Sequence, residues 1–160
     1  MNFDNLPTSN ITSGSHLTST NTHEEQLMFI NEGYAVEYSS ISEPRKVISF
    51  IGPKEFALRT TSESEIITLT DVTLVGISKP NLKSLLREFE EVRQFYRVFK
   101  KKHLDKIAKN RNELKTFTSA ERYISLLETY PWVKEIASPD DIQSYLNVPS
   151  GYYTKMCAVE

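Results

Sequence analysis

Residues 138–156 have the types and spacing of two short helices joined by a tight turn. Ser138 can cap the first helix, Pro139 suits its first turn, and two aspartates follow where a helix N-terminus favours negative charge. Asn147 tolerates the left-handed geometry of a helix end, and a second helix extends to about Cys157. This spacing predicts a helix-turn-helix, which places its second helix in a DNA major groove. The alternative is a helical hairpin that only packs a small domain.

Other chemistry has little support in the sequence. The only cysteine is Cys157, so no internal disulfide can form, and the histidines (His16, His23 and His103) lack the spacing of metal ligands. No paired carboxylates, nucleophile–base set or glycine-rich phosphate loop is visible. We therefore expect no catalytic residue, no metal and no cofactor, and we predict that the protein is not an enzyme.

Composition is typical of a soluble globular protein. A chain of 160 residues can bury a core, and 39% hydrophobic with 25% charged residues are ordinary proportions. No apolar run approaches the roughly 20 residues that span a membrane, and the N-terminus lacks the order of a signal peptide. We therefore expect a cytoplasmic protein without a membrane partner. The net charge of -2 does not favour nucleic acid as a partner.

The N-terminal half divides into two predicted segments. Residues 1–22 are rich in Asn, Ser and Thr, which predicts a flexible arm in which Ile11 and Leu17 can add an edge strand. Residues 23–79 contain short runs of β-branched residues separated by turn residues. These runs predict a small antiparallel β-roll, and its turns, including the one at 31–33, predict β-hairpins.

Residues 80–117 predict a short helix followed by a long one from about Glu90 to Lys115. A helix of about 25 residues extends about 40 Å, which exceeds what so small a domain can cover. Its apolar stripe is most simply buried against a second copy, so we predict a homodimer. The alternative is a helix that lies on its own β-roll. The predicted dimer-interface residues are Val92, Phe95, Tyr96, Phe99 and Ile107.

Residues 118–160 contain a further helix and the helix pair described first. Thr118 and Glu121 have the spacing of a capping box, and Pro131 ends the helix that they begin. The predicted fold class is therefore α+β. It combines an N-terminal antiparallel β-roll, a long dimerisation helix and a C-terminal helix-turn-helix domain.

In this order of elements, the sequence resembles the Crp/Fnr family of bacterial transcription regulators. The most specific likeness is SAERYISLLETYP at 119–131, and residues 141–155 are similar to the family's helix-turn-helix. The β region is similar to a shortened cyclic-nucleotide-binding roll, and the likeness is closest to the short-tailed members common in Bacteroidetes. The resemblance implies a homodimer whose recognition helices enter successive major grooves of a palindromic DNA site.

The resemblance also implies an effector pocket, at Glu55, Ala57, Arg59 and Ser62. In nucleotide-binding members a Gly-Glu pair opens a short helix that holds the ribose and phosphate, and a later arginine neutralises the phosphate. Here Lys54 replaces the glycine, and the arginine position falls near Ser62, beside Glu63 and Glu65. Carboxylates there would repel a phosphodiester, and the bidentate contact of arginine is lost. We therefore expect a degenerate domain that binds no cyclic nucleotide; any other effector is unknown.

The resemblance places four DNA contacts on the recognition helix, at Ser150, Tyr152, Thr154 and Lys155. Thr154 and Lys155 align with the family's base-contacting Ser-Arg pair, and lysine lacks the fork of arginine, so we expect weaker specificity. The implied function is a sequence-specific DNA-binding transcription regulator. The alternative is a degenerate dimeric interaction module of the same fold that no longer binds DNA. The shortened β-roll and the acidic residues of the helix-turn-helix, Asp140 and Asp141, favour this alternative.

Overall fold

The structure, a computed structural model, describes residues 8–18 and 27–158. Within these residues, eight strands come first and six helices follow. The strands are β1 Thr8–Ile11, β2 His16–Thr18, β3 Leu27–Glu32, β4 Ala35–Ser39, β5 Lys46–Ile51, β6 Glu55–Ala57, β7 Ser64–Thr68 and β8 Val72–Ile77. The helices are α1 Lys79–Glu88, α2 Glu90–Thr116, α3 Ser119–Thr129, α4 Val133–Ile136, α5 Pro139–Leu146 and α6 Tyr152–Cys157.

The strands form two antiparallel sheets, with the orders β1-β8-β3-β6 and β2-β7-β4-β5. Apolar side chains from both sheets pack into one core, so the sheets form a sandwich. The predicted α+β class with an antiparallel β structure is confirmed. The core residues between the sheets are Met28, Ile30, Ala35, Ile51, Ala57, Ile66, Val72 and Leu74.

The predicted β-hairpin at 31–33 is wrong. Strand β3 pairs with β6 and β8, whereas β4 pairs with β5 and β7, so this turn carries the chain from one sheet to the other. The turn between β7 and β8 does the same. Gly33 has φ +98°, and a Cβ there would lie 2.3 Å from the carbonyl oxygen of Asp71. A turn sequence predicts that the chain reverses, but it does not determine which strand becomes the partner.

Two short strands form within the segment predicted to be a flexible arm. Strand β1 pairs with β8 and β2 pairs with β7, while Ile11 and Leu17 pack against the core between the sheets. The neighbouring strands supply partners for backbone groups that a free arm would leave to water. The rest of the predicted arm, residues 1–7 and 19–22, lies outside the described residues.

Helix α2 extends over 27 residues and lies partly against the sandwich. The ring centroids of Phe99 and Phe56 are 4.3 Å apart, and Ile107 is only 4% exposed. Part of the apolar stripe is therefore covered within the chain, as in the alternative of a helix that lies on its own β-roll. None of the described helices is both long enough and apolar enough to cross a membrane.

A second hydrophobic core joins the sandwich to the C-terminal helices. Phe50 of β5 is 1% exposed and lies among aromatic rings from these helices. Its ring centroid is 5.4 Å from that of Tyr130, 5.5 Å from that of Tyr145 and 6.1 Å from that of Trp132. The C-terminal helices therefore complete their packing with residues of the sandwich.

Candidate functional site

Helices α5 and α6 form where the sequence predicts a helix pair. The Oγ of Ser138 accepts a hydrogen bond from the backbone N–H of Asp141 at 3.1 Å, so it caps α5 as predicted. Asn147 ends α5 in the left-handed conformation, with φ +52°. Gln143 is buried beneath the turn, and its Oε1 accepts a hydrogen bond from the N–H of Gly151 at 2.9 Å. These contacts fix where α6 begins relative to α5.

The outer side of α6 is exposed and carries the predicted DNA contacts. Tyr153 points inward, where its ring lies 5.8 Å from that of Tyr123. Hydroxyl and ammonium groups on the outer side are available to phosphate oxygens and to base edges. The exposed residues on or directly before the helix are Ser150, Tyr152, Thr154 and Lys155.

The two aspartates at the start of α5 differ in their surroundings. Asp140 is exposed, whereas the Oδ1 of Asp141 accepts a hydrogen bond from the hydroxyl of Tyr38 at 2.7 Å. Burial raises the pKa of Tyr38, and the hydrogen bond to Asp141 raises it further, so the phenol stays a donor at neutral pH. The guanidinium carbon of Arg45 lies 4.9 Å from the centre of the same ring. Asp141 is therefore held by the sandwich, and Asp140 is the aspartate that faces solvent.

The predicted effector residues do not surround one cavity. Ala57 is fully buried in the core between the sheets. Glu55 lines a cavity of about 330 Å³ beside α2, and its Oε2 accepts a hydrogen bond from the N–H of Gly52 at 2.7 Å. Arg59 and Ser62 instead line a cavity of about 400 Å³ between their own loop, α1 and α2. The structure thus brings Arg59 and Ser62 together and separates them from Glu55.

The segment that the resemblance aligns with the family's nucleotide-holding helix is a strand in this chain. Glu55–Ala57 forms β6, which pairs with β3. Lys54, at the family's glycine position, has φ +63°, and its N–H donates a hydrogen bond to the carbonyl oxygen of Ile30 at 2.7 Å. Its ammonium bonds to the side-chain oxygen of Asn31. The backbone here keeps a glycine-like conformation, but its N–H is used within the sandwich.

Glu37 is fully buried and accepts four hydrogen bonds. The donors are Ser49 Oγ at 3.2 Å, Thr60 N at 2.5 Å, Thr60 Oγ1 at 2.8 Å and Ser64 Oγ at 2.6 Å. Thr60 Oγ1 also lies 3.2 Å from Nε2 of His103 on α2. Burial lowers the pKa of His103, and the charge of Glu37 acts in the opposite direction. This polar network links the interior of the sandwich to the long helix.

Lys106 of α2 joins three parts of the chain. Its Nζ lies 3.4 Å from Oε1 of Glu55 and 4.2 Å from the centre of the Tyr130 ring. Burial lowers the pKa of Lys106, and the Glu55 carboxylate opposes that shift. The cation–π contact and the ion pair therefore hold α2 against both β6 and the end of α3.

No family model matches the chain, and no curated protein matches it either. Solved structures do match the chain. FixK2 from Bradyrhizobium japonicum is 13% identical with a TM-score of 0.79, covering 96% of this chain and 83% of its own. A CooA variant from Carboxydothermus hydrogenoformans is 12% identical with a TM-score of 0.74, covering 96% of this chain and 75% of its own. A transcriptional regulator of the Crp/Fnr family from Eubacterium rectale is 14% identical with a TM-score of 0.72, covering 98% of this chain and 78% of its own.

The chain has the Crp/Fnr fold. In this fold the predicted dimer-interface residues fall into three groups. Ile107 is buried within the chain, and Phe99 packs on Phe56, so both contribute to the subunit's own packing. Phe95 is 57% exposed, and the neighbouring Val98, which the prediction omitted, is 69% exposed. Val92 and Tyr96 are half-buried.

Sequence reasoning missed two buried polar residues whose hydrogen bonds organise the fold. The alternation of Tyr34, Val36 and Tyr38 predicts that Glu37 faces solvent, whereas it is buried in the structure. Gln143 was not singled out, although it bridges the turn before α6. A usable signal for Gln143 is its position between the apolar residues of α5, where a buried amide needs partners.

Proposed function

We propose that the protein is a sequence-specific DNA-binding transcription regulator that acts as a homodimer on palindromic sites. The observation that carries this proposal is the exposed outer side of α6, which presents Ser150, Tyr152, Thr154 and Lys155 after a turn held by Gln143. The fold supports it, because the chain shares that fold with a described Crp/Fnr transcriptional regulator. Exposed Phe95 and Val98 on α2 support pairing with a second copy.

We also propose that no cyclic nucleotide controls this regulator. The backbone N–H of Lys54 is engaged by strand β3, and the residues expected to hold a phosphodiester line separate cavities. Glu63, exposed beside Ser62, adds negative charge where a phosphate would need a cation. These features favour a regulator whose DNA binding does not depend on that class of effector.

The test is a mobility-shift titration against the DNA upstream of the protein's own gene. Lys155→Ala should weaken binding about tenfold and reduce the dependence of log K on log salt by about one, because it removes one cationic contact. The matched control is Lys83→Ala, an exposed lysine on α1 that lies outside the proposed interface. Equal binding by wild type and Lys155→Ala would contradict the proposal.

The second candidate is a dimeric interaction module that has lost DNA binding. The exposed Asp140 favours it, since a carboxylate at the start of α5 repels phosphate. Salt-independent or absent binding in the same titration would support this candidate. Light scattering at tens of micromolar protein separates both candidates from a monomer.

A further inference from the structure

Helix α5 is seated on the edge of the β-sandwich by two hydrogen bonds. Strand β5 is the last strand of its sheet, so part of its backbone has no strand partner on the outer side. The N–H of Val47 in β5 donates to the Oγ of Ser144 in α5 at 2.9 Å. The hydroxyl of Tyr38 in β4 donates to Oδ1 of Asp141 at 2.7 Å. A side chain of the helix thus accepts from a backbone N–H at the sheet edge, and a side chain of the sandwich donates to a carboxylate of the helix.

Between these hydrogen bonds the contact is apolar and buried. The rings of Phe50 and Tyr145 lie 5.5 Å apart, and both residues are buried together with Val47. Contacts between separate domains are usually more polar and permit relative motion, whereas a buried aromatic contact resembles the inside of one domain. We call this set of contacts the clamp. It consists of Tyr38, Val47 and Phe50 on the sandwich and Asp141, Ser144 and Tyr145 on α5.

The clamp also gives a physical reason for the acidic start of α5. Asp141 would weaken an approach to phosphate if it faced DNA, but its carboxylate is engaged by Tyr38. Asp140, its neighbour, is exposed, and among the described residues its Oδ1 accepts a hydrogen bond from Nε2 of Gln143 at 3.4 Å but none from the sandwich. The two aspartates are therefore matched in charge, and only Asp141 contributes to the clamp. Replacement of Asp140 by asparagine removes its charge and keeps an oxygen that can accept from Gln143.

The geometry points to a positioning role for the edge of the sandwich: the clamp holds α5, and through the turn α6, in one fixed orientation on β5. Gln143 transmits that orientation, because its side chain bonds to the N–H of Gly151 directly before α6. The C-terminal helices then do not move as a separate domain about Phe117, and no effector is needed to align α6. The link to DNA rests on the proposed function, whereas the fixed orientation is a property of the chain alone.

The first arm of the test measures orientation in the free protein. Two spin labels are placed at exposed positions, on Ser9→Cys in β1 and Ala158→Cys after α6, in a Cys157→Ser background. Excess unlabelled chain keeps the measured pair within one subunit. If the clamp fixes α6, the distance between the two labels has one narrow distribution. This distribution broadens in the Tyr38→Phe/Ser144→Ala double variant and stays narrow in Asp140→Asn. Several distances in the wild type, or a double variant as narrow as the wild type, would overturn it.

The second arm measures affinity for the upstream duplex used in the mobility-shift titration. The double variant should bind about tenfold more weakly, since losing two hydrogen bonds frees α6 to sample other orientations. Asp141→Ala should bind more weakly than Asp140→Asn, although each removes one negative charge, because Asp140→Asn keeps an acceptor for Gln143. Equal affinities for these two variants, or tighter binding by the double variant, would overturn the positioning role. If the wild type binds no duplex, the regulator function fails, and the label distances still decide whether the clamp fixes α6.

Discussion

Glu37 occupies the interior of the sandwich as a carboxylate, and its hydrogen bonds explain why it is tolerated there. A buried carboxylate without partners is strongly unfavourable, whereas acceptance of one N–H and three hydroxyl groups replaces much of its lost hydration. Thr60 connects this carboxylate to His103 on α2. His103 therefore ties the long helix to this polar network.

Burial of His103 predicts a loss of stability in mild acid. Its pKa in the folded protein lies below the ordinary 6.5, although the charges of Glu37 and Glu55 oppose the shift. Below pH 6.5 the unfolded chain therefore binds more protons than the folded one. The stability that neutral His103 provides is fully present above that pH and is lost as the pH falls towards the folded pKa.

The variant His103→Gln tests this at the same position. Glutamine cannot take up a proton but retains a polar group towards Thr60. The loss of unfolding free energy between about pH 7.5 and about pH 5 should be smaller in the variant than in the wild type. Urea unfolding at both pH values measures the difference, and an equal loss in the two proteins would contradict the prediction.

At the scale of elements, the turn between α5 and α6 contains two left-handed residues, Asn147 and Gly151, and only Asn147 has a side chain. Asn147 has φ +52° and is exposed, so its replacement removes no core packing. Alanine in this conformation costs about 1 kcal/mol, whereas glycine adopts it freely. Asn147→Ala should therefore lower the free energy of unfolding by about 1 kcal/mol, and Asn147→Gly should leave it unchanged or raise it. Urea unfolding of the three proteins tests this; equal stability of the two variants would disprove it.

Elements that depend on neighbours in sequence could be predicted. The capping box of Thr118 and Glu121 forms as expected, because both partners lie within one helical turn. The long helix, predicted from Glu90 to Lys115, is observed from Glu90 to Thr116 for the same reason. Helical spacing and caps are local properties, so a single sequence contains them.

Contacts between distant segments could not be predicted in this way. Strand β4 is covered on both sides, by the other sheet and by the C-terminal helices, so the one-sided alternation around Glu37 was misleading. The sequence suggests that Asp141 is a surface charge. Its partner Tyr38 lies 103 positions away, so nothing in the local sequence indicates the contact. Local pattern and resemblance predicted helix α6, whose outer side is exposed in the structure, and the DNA contacts on that side stay a prediction.

At the scale of the whole molecule, the sandwich and the C-terminal helices share one core. Trp132, the only tryptophan, lies where they meet: its ring centroid is 4.4 Å from that of Tyr34 and 5.9 Å from that of Tyr130. Its fluorescence therefore reports separation of the helices from the sandwich. Because Phe50 fills the centre of this contact, we expect the two parts to unfold together.

The prediction is one transition in urea, with the same midpoint by tryptophan fluorescence and by far-ultraviolet circular dichroism. Phe50→Ala should lower the free energy of unfolding by about 3–5 kcal/mol, because it opens a cavity in the shared core, and both signals should shift together. The control Ile41→Ala, at a side chain that is 72% exposed, should cost under about 1 kcal/mol. Fluorescence that changes at lower urea than circular dichroism would show that the helices leave the sandwich first. The shared core would then be too weak to hold α6 in place, and its orientation would depend on another partner.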